Sequence, residues 1–203
     1  MNQLENNVKF LFLDIDGVLN SAEFLQSFKI DSRVERTERM LKRFGVIPNN
    51  KFANDIEYYG IDIDPEAFQR LQIVWKCHPE TKIVISSSWR HQIEMAGMIE
   101  LFKYFGWNDA PIIGYTPELR RQDVDPEGKI QVVRGHEVEY WLAWAGRSLI
   151  KDKRTNQPNA NKYVILDDDS DFLEGQPLVQ TSWETGLLNN HIDQICRILS
   201  NDS

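Results

Sequence analysis

Three short segments of the chain are apolar almost without interruption. They span residues 8–13, 82–86 and 163–166. Runs of this length and composition are typical of strands that are covered on both faces in a parallel sheet. Residues 111–113 and 178–180 are weaker strand candidates.

The segments between these strands carry apolar residues at helical spacing. Asp64 and Pro65 are typical of a helix start, and Phe68, Leu71 and Trp75 follow them on one helix face. The same spacing predicts helices over residues 95–102, 138–145 and 191–199. Strands that alternate with helices predict an α/β fold with a mainly parallel sheet, in which ligands bind at the carboxyl ends of the strands.

Residues 21–63 form a connection that is longer than an ordinary link between a strand and a helix. We interpret it as a small cap or flap within a single domain that comprises residues 1–203. The segment is rich in basic residues, namely Arg33, Arg36, Arg39, Lys42 and Arg43. The interspersed glutamates favour a solvated helix face, and the alternative is a surface that grips a polyanionic substrate.

Composition narrows the class of protein. The net charge of −8 argues against a protein that coats nucleic acid, and it does not bear on a local basic groove. No stretch of 18 apolar residues exists, so we expect no membrane span. The start of the chain does not resemble a signal peptide, and we expect a cytoplasmic protein with reduced Cys77 and Cys196 and no obligate protein partner.

Acidic residues follow two of the predicted strands. Asp14 and Asp16 come after the first strand, and Asp167 and Asp168 come after the third. Buried carboxylates need a compensating cation, and oxygen ligands without a neighbouring His or Cys favour Mg²⁺ over zinc. We therefore expect these four residues to share a magnesium ion.

The spacing of Asp14 and Asp16 also suits covalent chemistry. One carboxylate can attack a phosphate and form an aspartyl-phosphate, which divides a difficult transfer into two easier steps. The other can protonate the leaving alcohol and then activate water. The sequence therefore predicts a phosphoryl-transfer enzyme.

The segment Asp14-Ile15-Asp16-Gly17-Val18, placed after an apolar strand, resembles the first motif of the haloacid dehalogenase (HAD) superfamily of phosphotransferases. This resemblance implies a Rossmann-like three-layer α/β/α core. It also implies that Asp14 is the nucleophile and a metal ligand. Asp16 is then the general acid and base, and its backbone carbonyl also binds the metal.

Candidates for the second and third motifs of the superfamily follow in order. A hydroxyl at the end of the next core strand holds a phosphate oxygen, and we expect Ser87 to supply it, with Ser86 as the alternative. Arg134 takes the place of the cation that balances the phosphoryl charge, where the superfamily usually has lysine. Lys129 and Lys162 are alternatives for that cation.

The fourth motif is an acidic pair, matched here by Asp167 as a metal ligand and Asp168 as a ligand or a support for the ligands. Between the second and third motifs, Trp89 and Arg90 follow the serines. They either contact substrate, by stacking and by gripping a phosphate, or pack and form a salt bridge.

A closer resemblance concerns the HAD domain of Swiss-army-knife RNA-repair proteins. It rests on residues 86–90 (Ser-Ser-Ser-Trp-Arg), 134–137 (Arg-Gly-His-Glu), 163–171, 178–181 (Leu-Val-Gln-Thr) and 185–187. It implies a phosphatase that acts on phosphorylated nucleic-acid ends. The alternatives are a phosphatase for nucleotides or sugar phosphates, and a non-catalytic module that keeps the fold.

Overall fold

The structure is a computed structural model that describes residues 8–27, 33–45, 50–119, 133–144 and 162–200. Side chains of Arg33, Arg36 and Phe44 lie outside this description. The alternative cation Lys129 also lies outside it. Within the described ranges, no helix combines the length and the apolar composition needed to cross a membrane.

A parallel sheet of five strands lies at the centre of the described chain, in the order β3-β2-β1-β4-β5. The strands are β1 (Lys9–Leu13), β2 (Thr81–Ile85), β3 (Ile112–Tyr115), β4 (Tyr163–Asp167) and β5 (Leu178–Gln180). Leu13 lies beside Ile85 of β2 and Leu166 of β4, so the first strand is central and its carboxyl end is flanked on both sides.

Helices cover both faces of the sheet. They are α1 (Ala22–Gln26), α2 (Arg33–Phe44), α3 (Ala53–Gly60), α4 (Pro65–Cys77), α5 (Met95–Tyr104), α6 (Arg134–Trp144) and α7 (Asn189–Ser200). Asp64 begins α4 as predicted, because its side chain accepts a hydrogen bond from the Glu66 backbone N–H at 2.9 Å. Gly106, with φ of 85°, follows the end of α5.

The alternation of side chains along each strand separates two apolar cores. Leu11 and Leu13 face the core that contains residues of α4, α5 and α7. Phe10 and Phe12 face α6, where the rings of Phe12 and Trp141 have centroids 5.4 Å apart. The predicted three-layer, Rossmann-like α/β architecture is confirmed.

The segment 21–63, which the sequence suggested as a cap or flap, contains α1, α2 and α3. Met40 and Ile56 of this segment are buried in the same core as the strands, and α3 packs against α5. The helix predicted for the basic residues is present as α2. Of its arginines, Arg39 and Arg43 are partly buried, and the Arg43 guanidinium lies 5.2 Å from the centroid of the Phe24 ring.

Candidate active site

The first predicted site residues lie side by side at the carboxyl end of the sheet. The Asp14 backbone N–H donates to the Leu166 carbonyl at 3.0 Å, and the Ser86 N–H donates to the Leu13 carbonyl at 2.8 Å. These bonds extend the strand pairing by one residue on each side of β1. Because side chains alternate, Asp14, Ser86 and Asp167 follow Phe12, Val84 and Ile165 on the face that α6 covers.

Three carboxylates meet at this edge. Oxygens of Asp14, Asp167 and Asp168 lie within 4.8 Å of one another. Asp14 is 1% exposed and Asp167 is fully buried. The backbone holds both groups in place, since Asp14 Oδ1 accepts from the Ile15 N–H at 2.7 Å and Asp167 Oδ1 accepts from the Asp169 N–H at 2.9 Å.

Arg134 joins the two buried carboxylates. Its Nη1 donates to Asp14 Oδ2 at 2.6 Å and to Asp167 Oδ2 at 2.7 Å. Arg134 is the first residue of α6, and Asp171 Oδ2 accepts its backbone N–H at 3.3 Å, which fixes this end of the helix. The alternative cation Lys162 precedes β4 and therefore lies at the opposite edge of the sheet.

Burial and the neighbouring charges shift the pKa values of several groups at the site, among them Arg134 and Asp167. Burial lowers the pKa of Arg134, but the charges of Asp14 and Asp167 outweigh burial and raise it, so the guanidinium stays charged. Burial and the neighbouring Asp14 charge raise the pKa of Asp167 to about 7, although Arg134 opposes this shift. The guanidinium therefore compensates the acidic cluster only in part.

This donor set fits Mg²⁺. Carboxylate oxygens are the ligands that the ion prefers, and three of them converge here, two on the buried residues Asp14 and Asp167. Asp14, Asp167 and Asp168 are the side chains that would hold the ion, together with the Asp16 carbonyl that the superfamily motif implies.

Asp16 lies beside this cluster with both carboxylate oxygens engaged. Asn20 Nδ2 donates to Oδ1 at 2.9 Å, and Trp89 Nε1 donates to Oδ2 at 2.9 Å. Gly17 supplies the turn, because its φ of 66° favours glycine and its N–H donates to Asn20 Oδ1 at 2.9 Å. A Cβ at Gly17 would lie 2.2 Å from Asp168 Cγ, so the turn packs directly on the acidic pair.

The two serines after β2 have different surroundings. Ser87 Oγ accepts from the Trp89 N–H at 3.3 Å and caps the short 3-10 helix Ser88–His91. Ser86 Oγ is fully buried and has no hydrogen-bond partner in the described chain. The Ser87 hydroxyl therefore has a structural role as a helix cap, whereas the Ser86 hydroxyl forms no hydrogen bond with the described residues.

Arg90 is held by protein groups. Its Nη1 donates to the carbonyls of Ser86 and Ser87 at 2.7 and 2.9 Å, and its Nη2 lies 2.8 Å from Glu137 Oε2. Burial raises the pKa of Glu137, and Arg90 acts in the opposite direction. Of the two interpretations of Arg90, these contacts favour the salt bridge, which fastens the serine turn to α6.

Two residues of the site were missing from the predicted set. Asn20 orients Asp16, and its position three residues after Gly17, in the turn of the first motif, was the sequence feature that could have indicated this role. Glu137 pairs with Arg90, 47 residues away in the sequence, and the local sequence pattern does not predict that contact.

Comparison with known protein families shows which family the chain belongs to. The family described as "HAD domain in Swiss Army Knife RNA repair proteins" matches residues 10–192. The chain belongs to this family. No curated protein and no solved structure matches it. The match covers every site residue described above and confirms the resemblance drawn from the motifs, and membership of a HAD family supports a HAD-type hydrolase.

Proposed function

We propose that this HAD domain is a Mg²⁺-dependent phosphomonoesterase that forms an aspartyl-phosphate on Asp14 and acts on phosphorylated nucleic-acid ends. The observation that carries the proposal is the buried Asp14 carboxylate, held between the Arg134 guanidinium and the acidic pair Asp167 and Asp168. A structural turn has no need for three carboxylates at this position, because burying them costs free energy.

In the first step an Asp14 carboxylate oxygen attacks the phosphorus of the ester. The new bond joins that oxygen to phosphorus, and the bond between phosphorus and the alcohol oxygen breaks. The protonated Asp16 carboxyl gives its proton to the departing oxygen, so that an alcohol leaves rather than an alkoxide.

In the second step water attacks the phosphorus of the aspartyl-phosphate. Asp16, now ionised, takes the proton from that water. The bond between phosphorus and the Asp14 oxygen breaks, which releases inorganic phosphate and restores the Asp14 carboxylate. Both steps leave Asp16 in the state that the next step needs.

The neighbouring residues balance charge. A bound Mg²⁺ would neutralise phosphate charge so that an anionic nucleophile can approach it. Arg134 donates to Asp14 and Asp167 and keeps a positive charge beside the transferred group. Ser86 Oγ, which is buried and has no hydrogen-bond partner among the described residues, would donate to a phosphate oxygen.

The substrate class is supported by the family, whose description places this type of domain in RNA repair proteins. The acidic net charge of −8 does not favour long nucleic acids, so a short contact with a phosphorylated end suits the chain better than extended binding. A phosphatase of nucleotides or sugar phosphates shares the same chemistry and is the alternative that a substrate panel separates.

The test is phosphate release with and without Mg²⁺ from 4-nitrophenyl phosphate, mononucleotides, sugar phosphates and oligonucleotides with 3′- or 5′-phosphate ends. Asp14→Asn should abolish release, while Asp193→Asn, an exposed change on α7, should leave it intact. Preference for oligonucleotide ends would support the proposal in full. Preference for small esters would reject the substrate class, and activity in Asp14→Asn would reject the mechanism.

A further inference from the structure

Both oxygens of the Asp16 carboxylate receive a hydrogen bond from a side chain. Asn20 lies in the same turn, four residues further along, and is itself fixed by the Gly17 N–H. Trp89 comes from a different element, 73 residues away, and donates through its indole N–H at 2.9 Å. The Trp89 contact is therefore a tertiary contact that sets the direction of the carboxylate from outside its own loop.

We propose that Trp89 is a positioning residue, whose indole N–H aims the Asp16 carboxyl at the oxygen of the leaving alcohol. The inference rests on the proposed function, in which Asp16 transfers a proton to that oxygen. Each carboxylate oxygen has two lone-pair directions, so an oxygen that accepts from Trp89 or Asn20 keeps one direction for the substrate.

Trp89 is well suited to hold a fixed direction. Its side chain is buried, with 6% of the residue exposed. Its backbone lies in the short 3-10 helix that Ser87 caps, and its carbonyl accepts from the Ile93 N–H at 2.9 Å. A rigid aromatic ring with a single donor places that donor at one point, in contrast to a flexible amine.

The segment 21–63 also supports the Trp89 ring. Tyr59 of α3 packs on it with a centroid distance of 4.9 Å and an angle of 49° between the rings. The Tyr59 hydroxyl donates to Gln92 Oε1, just after the 3-10 helix. The inserted segment is thus connected to the proposed general acid through the contacts Tyr59 to Trp89 and Trp89 to Asp16.

The direction of Asp16 matters only when the leaving group needs a proton. An alkoxide is a poor leaving group, so its departure depends on an acid within hydrogen-bond reach of the ester oxygen. The 4-nitrophenolate ion is stable in water and departs without a proton. Loss of the indole N–H should therefore slow alkyl esters selectively, whereas a general disturbance of the fold would slow both kinds of ester.

The experiment measures kcat/KM of Trp89→Phe for 4-nitrophenyl phosphate and for the alkyl ester of the panel that the wild type hydrolyses fastest. We expect a loss of about 10- to 100-fold for the alkyl ester, within the range of general acid catalysis, and less than about threefold for 4-nitrophenyl phosphate. Trp75→Phe is the matched control, because the Trp75 indole N–H donates to the Thr81 carbonyl at 2.7 Å, a contact outside the site.

A second measurement follows the contact independently of turnover. In ¹⁵N–¹H spectra the indole signal of Trp89, identified by its loss in Trp89→Phe, should shift in Asp16→Ala, and the Trp75 signal should not. Equal losses on both esters, or an unmoved Trp89 signal, would overturn the positioning role. A wild type that releases no phosphate from any ester would instead overturn the proposed function on which it rests.

Discussion

The Arg134 guanidinium donates to the Asp14 carboxylate at 2.6 Å, across 120 residues of sequence. The same Nη1 lies 2.7 Å from Asp167, so one donor bridges the proposed nucleophile and a proposed metal ligand. The bridge forms because Arg134, the first residue of α6, reaches the carboxylates at the ends of β1 and β4. Its removal would leave two buried carboxylates in repulsion.

Replacement of Arg134 tests this arrangement. Arg134→Gln should lower kcat for phosphate release by about 10²- to 10³-fold, the usual cost of removing a group that stabilises developing charge. Arg134→Lys should recover part of the loss, because it restores the charge but not the planar donor. Equal activity of the Gln variant and the wild type in a steady-state phosphate assay would contradict the role.

Replacement of the two serines after β2 should have opposite effects on activity and on stability. Ser86→Ala should lower phosphate release at least about tenfold and leave urea unfolding nearly unchanged, because its Oγ has no protein partner in the described chain. Ser87→Ala should cost about 0.5–2 kcal/mol in the free energy of unfolding, since it removes the cap on the Trp89 N–H. A large activity loss with unchanged stability in Ser87→Ala alone would reverse the assignment.

The sequence predicted much of the fold because its signals were local. Residues 8–13 and 163–166 were recognisable as buried strands, and Asp64 and Pro65 as a helix start, from short patterns alone. The position of Asp14 and Asp167 at one edge followed from parallel strands. The strands and the helix start are properties of short stretches of chain, whereas the meeting of the two carboxylates requires only that their strands be parallel and adjacent.

What the sequence did not reveal depends on side-chain contacts between distant segments. Ser86 stays an alternative to Ser87 in the sequence, because the end of a strand cannot be placed to one residue, and the pairing of Ser86 with Leu13 shows where the strand ends. The Arg90 guanidinium forms a salt bridge with Glu137, but the local sequence is equally compatible with an arginine that contacts substrate. The Trp89 contact with Asp16 also depends on how two loops meet.

Even the addition of one methyl group at Gly17 should impair the protein. Gly17→Ala places a Cβ 2.2 Å from Asp168 Cγ, in addition to the cost of about 1–2 kcal/mol for an L-residue with positive φ. We expect loss of most phosphatase activity and a lower midpoint of urea unfolding. Gly106→Ala is the control, because its φ is also positive, at 85°, and no atom lies within 4 Å of the added Cβ.

The control variant should lose stability through φ alone and keep full activity. If Gly17→Ala were as active as Gly106→Ala, the close approach of the turn to Asp168 would have no functional importance.

Magnesium should stabilise the folded chain if the acidic cluster binds it. A ligand that binds the native state alone, at about 100 times its Kd, contributes about 2.7 kcal/mol, which for a chain of this size is a rise of roughly 5–10 °C in Tm. Asp167→Asn should remove most of this rise in a thermal scan with and without MgCl₂ at constant ionic strength. Asp193→Asn, exposed on α7, should retain it.

The same rise in Asp167→Asn and in the wild type would exclude Asp167 as a ligand. Because the readout is Tm rather than turnover, it separates metal binding from catalysis.

The stability of the domain should fall below pH 6.5 through His191, near the start of α7. Burial lowers the pKa of this histidine from its ordinary value of 6.5, and its Nδ1 accepts from the Leu188 N–H at 3.0 Å, which requires an unprotonated Nδ1. Between the lowered pKa and 6.5 the unfolded chain binds more protons than the folded one, so the free energy of unfolding decreases as the pH falls through this range. His191→Asn cannot titrate there, and its amide oxygen can still accept a hydrogen bond. Between pH 7.5 and 5.5, the free energy of unfolding measured in urea should therefore decrease less in the variant than in the wild type. All other groups titrate in both proteins, so the difference reports on His191. Equal decreases would show that His191 does not contribute.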